Sequence, residues 1–447
     1  MSSEDIARIE SLVARQNQWR LAETINLIAS ENVLSARARA LLSSDFNHRY
    51  AEGHPGARYY EGTEHIDAIE REVRERLSRL FGYQRVEVRT ISGTNANDVV
   101  FASLVKENDP VVVNSLPVGG HISHQLIGGL GKYTRNILHF PRLPNGYQID
   151  VPASKDFLQE KKPKLVVFGK SLILFPEPVK ELAPVAHDLG AAVIYDGAHV
   201  LGLIAGKRFQ DPVAEGADIL MGSTHKTFPG PQRGVLMGNL PEDRWKSIDR
   251  MAFPGCLSNH HLMTLPPLLA TTIEMEDFGK SYAAQVVANA KHFGTALQRA
   301  GFEVECADLG FTESHQVAVN VRKYGGGGKV SETLTANDII VNRNLLPHDP
   351  PKQVNNPSGL RLGVQEMTRW GMKQPEMEEI ARLMRSCVIE GLQVKDEVRR
   401  FRGRFVEVQY SHDRPALKGG EARPSGPASG TSPATKSDPL DMDMAGY

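Results

Sequence analysis

Short apolar runs alternate with helical patterns through the middle of the chain. The runs predict buried strands over residues 86–90, 111–113, 165–168, 192–195 and 219–221. Between two of them, residues 180–189 have the apolar spacing of a crossover helix that ends at Gly190. Apolar strands separated by helices are typical of a mostly parallel sheet with helices on both faces. The pattern therefore predicts an α/β fold.

The pattern changes toward both ends of the chain. Residues 4–45 alternate helical stretches around a polar break at 30–32, and residues 65–83 predict an amphipathic helix. Beyond about residue 275 the chain predicts a smaller α+β domain. Its elements are a helix over 282–299, a β-like run at 316–321, a glycine-rich loop at 325–328 and a last helix over 376–390.

These changes divide the chain into four predicted parts. They are an N-terminal helical segment (1–45), a large α/β domain (46–275), a small C-terminal domain (276–410) and a tail (411–447). The tail is rich in serine, glycine and proline and has few large apolar side chains. Such a segment cannot bury enough surface to offset the entropy of ordering it, so the tail is predicted to be disordered.

Composition excludes several classes of function. Lysine and arginine number 52 against 53 aspartates and glutamates among 447 residues, and this balance argues against a nucleic-acid partner. Three well-separated cysteines form neither a disulfide framework nor a metal clip, so no metal site is predicted. The N-terminus lacks the features of a secretory signal, and no apolar run is long enough to span a membrane. We therefore expect a soluble, cytoplasmic protein.

The strongest chemical signal is Lys226, which follows a predicted strand among small hydroxyl residues and Gly-Pro turns. A held, desolvated lysine has a lowered pKa and forms Schiff bases with carbonyls, although a lone lysine in a turn is more often a surface residue. Thirty positions earlier, Asp196 ends another predicted strand. In enzymes that use pyridoxal phosphate (PLP), an aspartate pairs with the protonated ring nitrogen. The two residues together indicate such a site.

A phosphate site is available nearby in sequence. Ser92, Gly93 and Thr94 precede a helix-like run over 96–106. Hydroxyls and backbone N–H groups would then converge at a helix N-terminus, which favours anions. The same residues also form an ordinary helix cap, so this signal is weak when taken alone.

Four segments carry a resemblance to a known family. They are residues 27–32, 50–60, 224–226 and 356–363. The chain resembles the serine hydroxymethyltransferases, which are PLP enzymes of fold type I, from about residue 20 to 390. The resemblance implies a mostly parallel central sheet with a smaller C-terminal α+β domain. It also implies conversion of serine and a reduced pterin such as tetrahydrofolate to glycine and the methylene-pterin, by a homodimer or homotetramer with shared active sites.

The resemblance assigns roles to individual residues. Cofactor-binding positions are Ser92, Gly93, Thr94, His121, Ser171, Asp196, His199, Lys226, Ser258 and Asn259. His121 resembles the histidine stacked on the cofactor ring, while His199 and Ser171 resemble residues beside the O3′ oxygen. Ser258 and Asn259 stand where many members have a Gly-Gly loop that reaches the partner subunit's cofactor phosphate.

Catalytic and substrate roles follow in the same way. Catalytic positions are Lys226, Glu52, Tyr60 and His225, and substrate-binding positions are Ser30, Tyr50, Arg361, Leu116, Gly120, Ile122 and Asn344. Arg361 resembles the clamp for the substrate carboxylate, with Ser30 beside it. Glu52 resembles the acid/base of hydroxymethyl transfer, and a glutamate beside aromatic residues tends to have a raised pKa. Leu116, Gly120, Ile122 and Asn344, together with His121, fall on the family's pterin positions.

Departures from the family pattern leave three hypotheses open. Val118 stands where many members have a histidine, and residues 228–234, 253–261 and 314–317 resemble an archaeal-type branch or threonine-transaldolase relatives. A glycine/serine hydroxymethyltransferase is favoured because Glu52, Tyr60 and Asn344 are all present. The alternatives are an L-threonine transaldolase or aldolase in a biosynthetic pathway, needing an acceptor aldehyde and no pterin, and a non-catalytic binding module.

Overall fold

The computed structural model describes residues 2–413. From residue 414 onward, the tail predicted to be disordered lies outside the described residues. The helices are α1 Ser2–Gln18, α2 Ala36–Ala40, α3 Glu64–Phe81, α4 Gly93–Leu104, α5 Val151–Lys161, α6 Val179–Asp188, α7 Leu201–Ala205, α8 Glu242–Arg250, α9 Leu265–Arg299, α10 Gly326–Ala336, α11 Gln365–Arg369, α12 Gln374–Val388 and α13 Lys395–Arg402. None of these helices is both long and apolar enough to cross a membrane.

The strands form one large sheet, one smaller sheet and two short pairs. They are β1 Ile25–Asn26, β2 Gly53–His54, β3 Ala57–Arg58, β4 Arg85–Glu87, β5 Val111–Val113, β6 Ile137–His139, β7 Leu165–Phe168, β8 Ala192–Asp196, β9 Ile219–Ser223, β10 Gly234–Gly238, β11 Glu303–Val304, β12 Gln316–Asn320, β13 Ile339–Ile340, β14 Asn342–Asn344 and β15 Gly359–Gly363.

The large sheet has the strand order β4-β10-β9-β8-β7-β5-β6. Its pairings from β9 through β6 are parallel, whereas β10 pairs antiparallel with both β9 and β4. In β7, Leu165 and Val167 pack into one hydrophobic cluster and Val166 and Phe168 into another. Because both faces are covered, every side chain of the strand is apolar. The predicted α/β fold with a mostly parallel sheet is confirmed.

The smaller sheet is antiparallel, with the order β11-β12-β15-β14. The helix predicted over 282–299 is much longer than expected, because α9 begins at Leu265 and runs through the predicted boundary at 275. Pro266 and Pro267 lie in its first turn, where a missing N–H needs no partner. The predicted domain limits themselves stay predictions.

The glycine-rich segment 325–328 is not a loop, so that prediction was wrong for three of its four residues. Gly326, Gly327 and Gly328 form the first turn of α10. The N–H of Gly327 donates to the carbonyl of Pro357 at 2.7 Å. A Cβ on Gly327 would lie 2.6 Å from the carbonyl oxygen of Gly359. Glycine is therefore required here by close packing of the helix on β15.

After α1, the N-terminal segment forms backbone hydrogen bonds with β13 and β15. Residues of β1 pair parallel with β13, and the carbonyl of Leu27 accepts a hydrogen bond from the N–H of Gly363 at 2.8 Å. These bonds hold residues 27–32 at the end of β15. The segment that carries Ser30 and Asn32 is thereby fixed beside the large sheet.

Candidate active site

A cavity of about 170 Å³ opens where β7, β8 and β9 end. Parallel strands share their carboxyl ends at one edge of a sheet, so the loops that follow them meet there. Among the described residues, nine of the predicted ones border the cavity: Ser92, Gly93, Thr94, His121, Ser171, Asp196, His199, His225 and Lys226. Residues from five separate segments of the sequence are thus brought together.

Asp196 ends β8 and is almost completely buried. Its Oδ2 lies 2.9 Å from His124 Nε2 and accepts a hydrogen bond from Asn97 Nδ2 at 3.0 Å, while Oδ1 accepts one from the N–H of Ala198 at 3.0 Å. Burial opposes ionisation, but the contacts with His124 and Asn97 outweigh it and hold the pKa of the Asp196 carboxyl well below its usual range. The cavity therefore contains a buried carboxylate that stays ionised.

Lys226 lies on the loop after β9. Asn32 Nδ2 donates to the Lys226 carbonyl at 2.6 Å, and Thr227 Oγ1 donates to the His199 carbonyl at 2.8 Å. Desolvation lowers the pKa of the Lys226 ammonium to about 8, against the opposing charge of Asp196. The amine is therefore available in its neutral, nucleophilic form near neutral pH.

His225 precedes this lysine and is kept neutral. Burial, with a smaller contribution from Lys226, lowers the pKa of His225 to about 4. Its Nδ1 is buried and has no hydrogen-bond partner among the described residues. This atom is therefore free to contact a bound molecule.

The start of α4 forms one end of the cavity. Ser92 Oγ caps the helix by accepting a hydrogen bond from the N–H of Asn95 at 3.1 Å, and Thr94 is exposed. A Cβ on Gly93 would lie 2.4 Å from Ser223 Oγ, so only glycine lets the helix approach β9 this closely. The free N–H groups of a first helical turn favour an anion.

His121 also borders the cavity. Its Nδ1 lies 2.6 Å from Ser123 Oγ, and its side chain caps the short turn Ile122–His124. Burial lowers the pKa of His121 to about 4, so the ring is neutral at physiological pH. A neutral imidazole suits stacking on an aromatic ligand.

Arg361 projects from β15 and is buried. Its Nε donates to Asn342 Oδ1 at 3.1 Å, and its Nη1 donates to the carbonyl of Ser171 at 2.8 Å. Burial lowers the pKa of the guanidinium to about 10. Within residues 2–413, no carboxylate forms an ion pair with Arg361. A buried cation is costly without a counter-ion, and its planar fork matches a carboxylate ligand.

Ser30 lies in a turn, half-buried, on the segment held by β15. The carbonyl of the preceding Ala29 is 3.1 Å from His315 Nε2. Ser30 does not border the cavity. Its predicted role beside the substrate carboxylate stays a prediction.

A second group of predicted residues lies away from the cavity. Tyr50 and Tyr60 are exposed, with ring centroids 5.3 Å apart. Desolvation, followed by the charge of the neighbouring Glu52, raises the pKa of Tyr60. Asn259 contacts the same part of the chain, because its Nδ2 donates to the carbonyl of Arg49, next to Tyr50, at 2.9 Å. We call Tyr50, Glu52, Tyr60, Ser258 and Asn259 the tyrosine patch.

The predicted pterin positions lie on the rim. Leu116 and Ile122 are exposed, whereas Gly120 is buried and leaves no room for a side chain. Asn344 Nδ2 donates to the carbonyl of Leu345 at 2.6 Å. These assignments stay predictions. In the described part of the chain, no group of three or more histidine, cysteine, aspartate or glutamate side chains is arranged to hold a metal.

Sequence reasoning missed three side chains. Asn97 and His124 contact Asp196, and Gln316 contacts His199. Asn97 lies one helical turn after Gly93, so its position on the cavity side of α4 could have been found from helical spacing. Gln316 had no local signal, because its partner lies 117 positions away.

The donor set fits pyridoxal phosphate. An amine with a lowered pKa, an ionised buried carboxylate and the N-terminus of α4 border one cavity, and Asn97 Oδ1 and His225 Nδ1 lack partners among residues 2–413. These groups match an aldehyde, a protonated ring nitrogen and a phosphate. The fold and the site thus define a PLP-dependent enzyme of fold type I.

Comparison with known proteins identifies the family. The family model described as serine hydroxymethyltransferase matches residues 3–384. The serine hydroxymethyltransferase of Sulfolobus acidocaldarius is 47% identical over 411 residues, covering 91% of this chain and 95% of the relative. That of Methanosphaera stadtmanae is 46% identical over 410 residues, covering 92% and 96%. The chain belongs to the serine hydroxymethyltransferase family.

A solved structure adds a second relationship. The crystal structure of L-threonine transaldolase from Pseudomonas fluorescens in the internal aldimine state aligns with a TM-score of 0.83 and 29% identity. The alignment covers 92% of this chain and 94% of that one. The expected resemblances to archaeal members and to a threonine transaldolase are both confirmed.

Proposed function

We propose that the protein is a PLP-dependent hydroxymethyltransferase that breaks and forms the Cα–Cβ bond of β-hydroxy-α-amino acids. The proposed donor is serine, and the proposed one-carbon carrier is tetrahydrofolate or a related reduced pterin. The observation that carries this proposal is the meeting of Lys226 and Asp196 in one cavity. Membership in the serine hydroxymethyltransferase family supports it.

The chain's own residues would divide the work of binding. Bound here, pyridoxal phosphate supplies an electron-withdrawing ring that stabilises negative charge on Cα. Asp196 would hold a proton on the ring nitrogen, and the Lys226 amine would hold the aldehyde group. The N-terminus of α4 would bind the phosphate. His121 would stack on the ring and limit the access of water.

Arg361 and Glu52 would act on the amino acid. The Arg361 guanidinium binds the substrate carboxylate with two parallel hydrogen bonds and so orients the bond to be broken. Ser30 supports the same carboxylate. Glu52 exchanges a proton with the substrate hydroxyl, and Tyr60 beside it positions that carboxyl group.

The tyrosine patch supports an assembly of two or more copies. Its residues lie outside the cavity of their own chain, and Tyr50 and Tyr60 are exposed. In α1, Ile6, Ile9 and Val13 recur at helical spacing and are about half exposed, which supports a covering partner. We infer that the patch of one protomer closes the cavity of the other in a homodimer or homotetramer. The cytoplasmic location stays a prediction.

A paired assay tests the reaction. The purified holoenzyme is given serine with tetrahydrofolate, and separately threonine with an added aldehyde, and glycine or new β-hydroxy amino acid is measured. Glycine formed from serine only when the pterin is present supports the proposal. Products formed only from threonine and aldehyde would make the protein a transaldolase.

L-Threonine transaldolase is the second candidate. The fold match to the Pseudomonas fluorescens transaldolase favours it. The proposed roles of Lys226, Asp196 and Arg361 are compatible with both candidates, so the paired assay and not the cavity distinguishes them. A non-catalytic binding module is the weakest of the three, because Lys226 retains the lowered pKa of a reactive amine.

A further inference from the structure

Gln316 is a fully buried amide at the start of β12 whose side-chain orientation is fixed. Its Oε1 accepts a hydrogen bond from the N–H of Ile173 at 2.9 Å. Its Nε2 donates to the carbonyl of Ser171 at 3.0 Å and lies 3.0 Å from His199 Nδ1. Reversing the amide would set oxygen against the Ser171 carbonyl and nitrogen against an N–H group, so only one orientation is satisfied.

This orientation determines where His199 carries its proton. The NH₂ group of Gln316 can only donate, so His199 Nδ1 must accept, and the single proton of the neutral ring lies on Nε2. That atom has no hydrogen-bond partner within residues 2–413, and His199 borders the cavity. The ring thus offers an N–H donor to the cavity.

His315 does not compete for this role. Its Nε2 donates to the Ala29 carbonyl at 3.1 Å, so its 3.3 Å approach to Gln316 Nε2 brings together two donors and is not a hydrogen bond. The two histidine rings are instead stacked, with centroids 5.9 Å apart and an interplanar angle of 20°. The charged and titratable groups that face His199 are Lys226, Arg361, His315 and His121.

The carbonyl of Ser171 links this histidine to Arg361. It accepts hydrogen bonds both from Gln316 Nε2 at 3.0 Å and from Arg361 Nη1 at 2.8 Å. The amide and the guanidinium therefore meet at one acceptor. His199 would face a ligand oxygen, and Arg361 would face a substrate carboxylate. Both are therefore connected to the Ser171 carbonyl, His199 through Gln316 and Arg361 directly.

We propose that Gln316 is a positioning residue that holds His199 as a neutral Nε2–H donor toward the cavity and aligns it with Arg361. The ligand served is an anionic oxygen, such as a phenolate or carboxylate. This inference rests on the proposed function for its chemical use. The tautomer itself does not depend on which reaction is catalysed.

The first test measures the unaltered protein. The holoenzyme is labelled with ¹⁵N-histidine, and the His199 signals are assigned by their loss in His199→Asn. We expect an unprotonated Nδ1 and a protonated Nε2 throughout the pH range in which the enzyme is folded. A protonated Nδ1 would overturn the proposal, whether or not glycine is formed from serine.

The second test changes the donor. Gln316→Glu keeps an oxygen for the Ile173 N–H but sets a second oxygen against His199 Nδ1, which must then take a proton. We expect Nδ1 to become protonated, and the KM for the amino acid to rise at least about tenfold because the carboxylate also draws Arg361 away. Gln298→Glu, the same exchange at an exposed site on α9, should leave both unchanged. An unprotonated Nδ1 in Gln316→Glu would contradict the proposal.

Discussion

Lys226 and Asp196 border the same cavity, but their side chains have different polar contacts. Burial favours the neutral form of both side chains. Asp196 has contacts with His124 and Asn97 that favour its anion, whereas no side chain hydrogen-bonds the Lys226 amine among residues 2–413. The carboxylate therefore stays charged while the amine becomes neutral near pH 8. Titratable groups whose pKa values are moved by their surroundings in this way have distinct chemical roles.

The charge of Asp196 raises the pKa of Lys226, which leads to a prediction. In Asp196→Asn, the pKa of Lys226 should fall below its value of about 8, because the carboxylate that favours the ammonium is lost. The pH dependence of borohydride trapping of a small aldehyde on Lys226, followed by mass spectrometry, reports this pKa. Asp188→Asn, at the end of α6, is the control. An unchanged or raised midpoint in Asp196→Asn would contradict the assignment.

Arg361 carries a second prediction at this scale. Arg361→Lys keeps the positive charge but loses the planar fork, so the KM for the amino acid should rise at least about tenfold with a smaller change in kcat. Arg322→Lys, at an exposed arginine, is the matched control. A KM unchanged in Arg361→Lys would mean that the carboxylate binds elsewhere.

The signals that sequence provides at this scale are local. Asp196 and Lys226 each follow an apolar run, and Ser92–Thr94 precede a helical pattern, so their elements and ends were predictable. His124 and Gln316 act through partners 72 and 117 positions away, and no periodicity reports such contacts. The chemistry of the site was therefore predictable, while the hydrogen bonds that tune it required the structure.

At the scale of elements, the site depends on how closely α4 approaches β9. Gly93→Ala would bring a Cβ to 2.4 Å from Ser223 Oγ, so the helix start must move. Overpacking of this kind costs about 1–3 kcal/mol, and we expect cofactor affinity to fall about tenfold or more. Cofactor titration followed by absorbance measures the change. Gly129→Ala, whose nearest contact would be an ordinary 3.5 Å, is the control, and equal affinities of both variants would contradict the argument.

The helix α11 joins the N-terminal segment through a pair of carboxyl groups. Asn26 Nδ2 donates to Glu366 Oε2 at 2.5 Å and to Glu31 Oε2 at 2.8 Å. Gln365 Nε2 donates to the carbonyls of Ile28 and Glu31 at 2.8 and 2.6 Å. Burial, only partly offset by the Asn26 hydrogen bond, raises the pKa of Glu366 from 4.5 to about 7. The segment that carries Ser30 is thus fastened beside a carboxyl group that is protonated in mild acid.

This pKa predicts how stability depends on pH. Below about pH 4.5 Glu366 is protonated in the folded and unfolded chains alike, and its contribution is fully present. As the pH rises toward 7 the unfolded chain loses this proton first, so stability falls. Glu366→Gln cannot ionise and should exceed the unaltered protein in stability above pH 7, by up to about 3 kcal/mol.

Urea unfolding of the holoenzyme at pH 5 and pH 8 measures this difference. The gain from Glu366→Gln should be larger at pH 8 than at pH 5. Glu107→Gln, at an exposed position, is the control for the loss of one negative charge. A gain that is equal at the two pH values would show that Glu366 does not titrate in this range.

At the scale of the whole molecule, the local sequence pattern predicted the boundary between the two sheet regions poorly, because one helix belongs to both. The helix α9 packs against α3 and α7 beside the large sheet and against α12 and the smaller sheet. Its single run of 35 residues therefore belongs to both regions, and a boundary drawn at a change of pattern cuts through it. The fold class was predictable because the strand signals are local, whereas the joining of the two regions is a property of packing.

The last prediction concerns the proposal that each active site combines the cavity of one protomer with the tyrosine patch of another. Lys226→Ala removes the amine from the cavity, and Glu52→Gln removes the proton-transferring group from the tyrosine patch. Each variant alone should have little serine hydroxymethyltransferase activity. If the patch serves the partner's cavity, a mixed dimer has one site with both residues intact and one with neither. Random reassociation of equal amounts should then restore about one quarter of the unaltered activity.

To test this, the two variants are unfolded and refolded together, and the activity of the mixture is compared with that of each variant refolded alone. Size-exclusion chromatography confirms that each variant still assembles, so that loss of assembly is not mistaken for loss of sharing. A mixture of Lys226→Ala with Arg361→Lys is the control, because both changes fall in the cavity of the same chain and no arrangement of subunits restores a complete site. Activity in the first mixture above that of either variant refolded alone, with no such gain in the control, would establish sharing. No gain in either mixture would confine Glu52 to its own chain's site.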